Sequence, residues 1–117
     1  MTTTTRNDTK TLVDYAALVH TNSLNKGFYN GYVMHEFPHQ ATKIALIHSE
    51  ATEVMEALRK EKGEHEVVKE ICDILIRTLD FYAALVDAGV VTEDLDDVME
   101  EVMTANTKRP HMHGVLG

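Results

Sequence analysis

The chain predicts an all-α fold, a bundle of about four helices around an antiparallel central pair. Three observations carry this. Apolar residues recur at three- and four-residue spacing through most of the sequence, no segment alternates convincingly as a strand does, and Gly or Pro stands where helices must stop.

The first helix is expected over about Asp8 to His20, where Leu12, Tyr15, Ala16 and Val19 share one face. A long connection from Asn22 to Pro38 follows, broken at Gly27 and Gly31 and carrying Phe28, Tyr29, Tyr32 and Phe37. Its length marks it as functional or partly structured. The second helix is expected from Pro38, suited to a first helical turn, to a cap at Gly63, with Ile44, Ile47, Ala51, Val54 and Leu58 as its buried stripe. The third runs from about Glu64 to Ala88 and stops at Gly89. The fourth begins at Thr92 as N-cap, followed by Glu93 and Asp94, fades before Pro110 and packs beside the second and third.

At 117 residues this is one domain over 8–117, preceded by a disordered tail at 1–7, and a chain of this size buries roughly two thirds of its unfolded surface. Composition is that of a globular domain, with 44% hydrophobic and 26% charged residues. Cys72 stands alone, so there is no internal disulfide and no multi-cysteine zinc site, and a reducing cytoplasm suits it. No apolar stretch approaches the roughly 20 residues of a membrane span. The formal net charge of −8 opposes nucleic acid as a partner.

The chemistry concentrates in Glu50-Ala51-Thr52-Glu53 and, after sixteen intervening residues, Glu70-Ile71-Cys72-Asp73. Each pair lies one turn apart on the shoulder of a helix's apolar face, so four carboxylates can converge on one cleft. Single acids on helices are commonly solvated faces, but like-charged pairs on neighbouring helices repel, and Mg²⁺ or Mn²⁺ compensates that repulsion. A di-iron bundle wants a Glu-x-x-His pair on each of two helices, and the sequence offers only Glu36 to His39. Arg77 and Asp80 lie one and two turns beyond Asp73, so both can line the cleft as substrate contacts. Arg77 can line the cleft or pair with Asp73 along its own helix. Phe28, Tyr29 and Tyr32 can stack on a base or serve as packing anchors, whereas His48 and Cys72 read as structural.

These residues resemble the MazG-like, all-alpha nucleoside triphosphate pyrophosphohydrolases, in their short bacterial and phage-type form. The resemblance rests on the stretch from Leu46 to Arg59, on that from Glu70 to Arg77, and on the ending Asn106-Thr107-Lys108-Arg109-Pro110-His111-Met112-His113-Gly114. It implies Glu50, Glu53, Glu70 and Asp73 as Mg²⁺ ligands and a nucleoside triphosphate as substrate, cleaved between the α and β phosphates. It also implies a homodimer or homotetramer. Asp73-Ile74-Leu75-Ile76-Arg77 lacks the histidine of the related phosphoribosyl-ATP enzymes, which favours the general nucleotide branch.

The mechanism that follows has water attacking the α phosphorus, with Glu53 or Glu50 orienting or deprotonating it. Arg109 and Lys108 take the phosphate tail, and Asn106 bonds base or sugar or caps its helix. Similar proteins often carry a lysine where this chain has Val102. That departure keeps a second reading in view, a non-catalytic helical module that binds nucleotide or metal.

Overall fold

A computed structural model describes residues 9–110, and the tail at 1–7 and the ending from His111 onward lie outside them. Four helices form, α1 (Leu12–Asn25), α2 (Phe37–Arg59), α3 (Glu64–Asp87) and α4 (Leu95–Thr107), and no strand occurs among the described residues. The all-α expectation holds, with α3 packed against both α2 and α1.

Helix ends differ from the expectation for local reasons. Thr11 and Asp14 close a capping box, so α1 starts four residues later than periodicity alone suggests. It then runs on through Asn22 to Asn25, is capped at Lys26, and is stopped by Gly27 with its φ of 77°. The Gly27 and Phe28 amides bond back to the Leu24 and Ser23 carbonyls, a Schellman ending. An L side chain rarely adopts the φ of Gly27, and a Cβ there would also have to displace the Asn30 amide at 2.9 Å, so the turn favours glycine.

Pro38 sits in the first turn of α2, as its fixed φ favours. The helix ends at Arg59 rather than at Gly63, because Glu61 itself adopts φ 51° and lets the Lys62 amide reach the Ala57 carbonyl. Gly63 instead leads into α3. At the other end of α3, Gly89 and Val90 bond back to Val86 and Leu85 in the same Schellman geometry.

The fourth helix begins at Leu95, with Asp94 in place of Thr92 as N-cap, its carboxylate accepting from the Asp97 amide at 3.0 Å. The Tyr82 hydroxyl fixes this start, donating to the Glu93 carbonyl and accepting from the Leu95 amide. Asp96 accepts from the Leu12 and Val13 amides at 2.9 and 3.0 Å, placing a carboxylate on the positive end of α1. The first turns of α4 therefore rest on α1 and α3, not along α2. From Met99 to Pro110 every residue is exposed.

The most buried apolar side chains are few and mostly small: Ala16, Met34, Ala57 and Ala84. Alanine on each of the three long helices lets their backbones approach closely. The expected stripe of α2 is covered only in part, since Ile44 and Ala51 are exposed and Leu58 is 60% exposed. Leu75 of α3 is likewise 56% exposed. No helix among the described residues is long and apolar enough to cross a membrane.

Candidate functional site

The short turn between α2 and α3 makes them antiparallel, which sets Glu50 opposite Glu70 and Asp73. One carboxylate oxygen from each of these three comes within 4.8 Å of the others, and all three side chains are half-buried. One octahedral Mg²⁺, with oxygens at about 2.1 Å, sets its ligands roughly 3 to 4 Å apart. A modest rotamer adjustment closes that difference, so the donor set fits a hard divalent cation.

Glu53 stands outside this trio and is exposed. It remains near enough to act on it. Loss of surrounding water raises the Glu70 pKa above the usual carboxylate value, and the neighbouring Glu66, which favours the protonated form of Glu70, raises it further, as do the charges of Asp73 and Glu53. Glu56, the third acid of its helix, is bound instead by Arg59 at 2.7 Å and by Lys60, which leaves it on the solvent side.

Arg77 chooses the cross-helix partner. Its Nε lies 3.1 Å from Glu50 Oε2, not on Asp73 of its own helix. Both flank a cleft of about 400 Å³ lined by Leu18, Val19, Asn22, Ser23 and Phe28 on one side and by Glu50, Asp73, Ile76, Arg77 and Asp80 on the other. That volume lies in the range of small-molecule sites.

Asp80 borders the cleft but is itself buried. Its Oδ1 accepts from His20 Nδ1 at 2.7 Å, and its Oδ2 accepts from Ser23 Oγ at 2.8 Å. Burial first, then the nearby Asp80 charge, raise the pKa of the Tyr29 phenol well above its usual range. His20 Nε2 lies 3.1 Å from Asp87 Oδ2. With both oxygens engaged, Asp80 ties α1 to α3.

Lys43 completes the network. It is 8% exposed, donates to the Phe28 carbonyl at 2.7 Å, and lies 4.0 and 4.1 Å from the ring centroids of Tyr29 and Tyr32. Burial lowers its pKa, partly offset by the Asp80 charge.

The structure thus gathers Glu50, Glu70, Asp73 and Arg77, with Asp80 alongside and Glu53 at the edge. Asn106, Lys108 and Arg109 do not line this cleft; they sit exposed at the end of α4. His111 and His113 lie outside the described residues. Sequence reasoning missed Lys43, His20 and Ser23. Lys43 had a signal, since it stands seven residues before Glu50 and so on the same helical face.

Residues 38–113 match the model of the MazG nucleotide pyrophosphohydrolase domain, and the chain belongs to that family. The matched span contains both acidic motifs. The family's chemistry is hydrolytic, directed at nucleotides and generally dependent on divalent metal. No curated protein and no solved structure gives a match.

Proposed function

We propose that this protein is a Mg²⁺-dependent nucleoside triphosphate pyrophosphohydrolase, with Mn²⁺ as a possible substitute, converting NTP or dNTP to the monophosphate and pyrophosphate. The observation that carries the reading is the carboxylate trio of Glu50, Glu70 and Asp73, two of which line a nucleotide-sized cleft together with Arg77. A divalent ion held there supplies charge neutralisation on the phosphates and an acidified water.

The residues divide the remaining work. Water adds to the α phosphorus, the bond to the α,β-bridging oxygen breaks, and pyrophosphate leaves with that electron pair. Glu53, exposed and one turn from Glu50, takes the proton of the attacking water, with Glu50 holding metal. Arg77 can exchange Glu50 for a phosphate oxygen, because guanidinium binds either anion with similar geometry. Asp80 acts through the residues it holds and not as a substrate ligand. Asn106, Lys108 and Arg109 enter as phosphate and sugar contacts brought to a cleft by another copy of the chain. A homodimer or homotetramer working in the cytoplasm fits the exposed faces of α2 and α3 and the free thiol of Cys72.

The test is release of monophosphate and pyrophosphate from a panel of canonical and modified NTPs and dNTPs, with Mg²⁺, Mn²⁺ or chelator, for the wild type, Glu53→Gln and Asp73→Asn. Metal-dependent formation of both products, lost in both variants, is expected. Binding without turnover across the panel would support the second reading, a nucleotide- or metal-binding module, which Val102 and the occupied Glu50 favour.

A further inference from the structure

We propose that Phe28 is the platform on which the nucleobase stacks, held in place before substrate arrives by backbone bonds to α1 and α2. This rests on the cleft being the nucleotide site. The argument starts from the backbone. The Phe28 amide donates to the Ser23 carbonyl at 3.0 Å, and the Phe28 carbonyl accepts from Lys43 Nζ at 2.7 Å. Both backbone polar groups of one loop residue are thus bonded to two different helices.

The neighbours are fixed as well. Ser23 is tied through its hydroxyl to buried Asp80, and the Tyr29 ring lies edge-on to His20, which bonds the same carboxylate. A residue held this way gives up little conformational entropy when a ligand settles on it.

The three aromatics of the segment separate by use. Tyr29 and Tyr32 are occupied, edge-on to His20 and His39 respectively, to one another, and beneath the Lys43 ammonium. Phe28 makes none of these ring contacts, remains 48% exposed and lines the cleft.

Packing does not explain the ring either. In a Schellman ending, the residue at the Phe28 position usually makes an apolar contact with the side chains three and four places inside the helix end. Here those positions are Ser23 and Asn22, both polar and both in the cleft lining. An apolar ring fixed over a polar rim, with Leu18 and Val19 nearby and the carboxylates opposite, suits a base whose phosphates run toward Glu50 and Asp73.

Calorimetric binding of α,β-imido nucleoside triphosphates carrying each of the four bases, against inorganic tripolyphosphate, all with Mg²⁺, tests this. The wild type should bind its best nucleotide at least about tenfold more tightly than tripolyphosphate, given the usual worth of base–aromatic stacking. Phe28→Ala and Phe28→Leu should each lose about tenfold for that nucleotide and nothing for tripolyphosphate, while Phe28→Trp keeps the preference. Unchanged nucleotide affinity in Phe28→Ala, full affinity in Phe28→Leu, or equal losses for both ligands would overturn the platform. So would a wild type that binds the two ligands equally, although the phosphate site would then stand. A wild type that binds neither ligand overturns the cleft reading and the platform together, whereas base-dependent binding without hydrolysis defeats only the reaction.

Discussion

Arg77 Nε approaches Glu50 Oε2 at 3.1 Å, so a cation of α3 occupies one acid of the carboxylate trio proposed to hold metal. The same ion pair therefore stabilises the metal-free cleft and competes with the metal. Arg77→Gln is expected to tighten Mg²⁺ binding several-fold, lower the melting temperature in chelator by a few degrees, and raise KM for triphosphate about tenfold. Mg²⁺ titration by thermal shift, with steady-state kinetics, reads all three. If none moves, the pair is an ordinary partly exposed ion pair worth little.

Glu70 is held above the usual carboxylate pKa by lost hydration and by acidic neighbours. Replacing it with Gln removes a repelled charge, so Glu70→Gln should melt at a higher temperature than the wild type in chelator. It should also lose most of the stabilisation that Mg²⁺ gives the wild type. Asp73→Asn and Glu50→Gln should lose turnover by about 100-fold or more. Glu53→Gln should lose about 10² in kcat while keeping the Mg²⁺ shift, because Glu53 stands outside the trio. A Glu53 variant with no Mg²⁺ shift would make it a ligand instead of a base.

The phenol of Tyr29 gives a pH signature. Its folded pKa is raised by burial and by Asp80, so the folded state keeps a proton that the unfolded chain releases near pH 10. The contribution is complete below about pH 10 and is lost as pH rises beyond it. Melting temperature between pH 8 and 11 should fall more steeply for the wild type than for Tyr29→Phe. The depressed Lys43 pKa acts with opposite sign, favouring the fold as pH rises toward about 10.5, but both proteins carry it and it cancels in the comparison. Parallel curves would detach Tyr29 from Asp80.

The helices and the acidic pairs were legible because both follow from periodicity. Glu50 and the Glu70/Asp73 pair are placed by helical geometry and by the reversal between α2 and α3. The boundaries were less legible because caps compete locally: Asp94 takes the cap from Thr92, and Glu61 adopts the left-handed turn that Gly63 appears to offer. The network of Asp80, His20, Ser23, Tyr29 and Lys43 joins residues up to 60 positions apart. No local spacing encodes such contacts. For the same reason Asp80 reads in sequence as a cleft acid, although in the fold its oxygens are already bonded.

The apolar stripe of α2 reads in the sequence as a buried face, whereas the structure leaves Ile44, Ala51 and Leu58 exposed. Leu58, Met55, Val68, Ile71 and Leu75 are exposed on α2 and α3, and no large side chain among the described residues is fully buried. Exposed apolar side chains scattered singly are ordinary, but several on one antiparallel pair fit the oligomer proposed above. Removing two such leucines from water contributes about 1.5 to 3 kcal/mol each, a large fraction of the stability of a domain this size. Light scattering on the eluting protein should therefore give a multiple of the 13.1 kDa chain mass. Leu58→Asp and Leu75→Asp should shift it toward one copy and lower the melting temperature. A wild type that elutes as a single chain, with both variants as stable as it is, would mean that these faces are simply solvated.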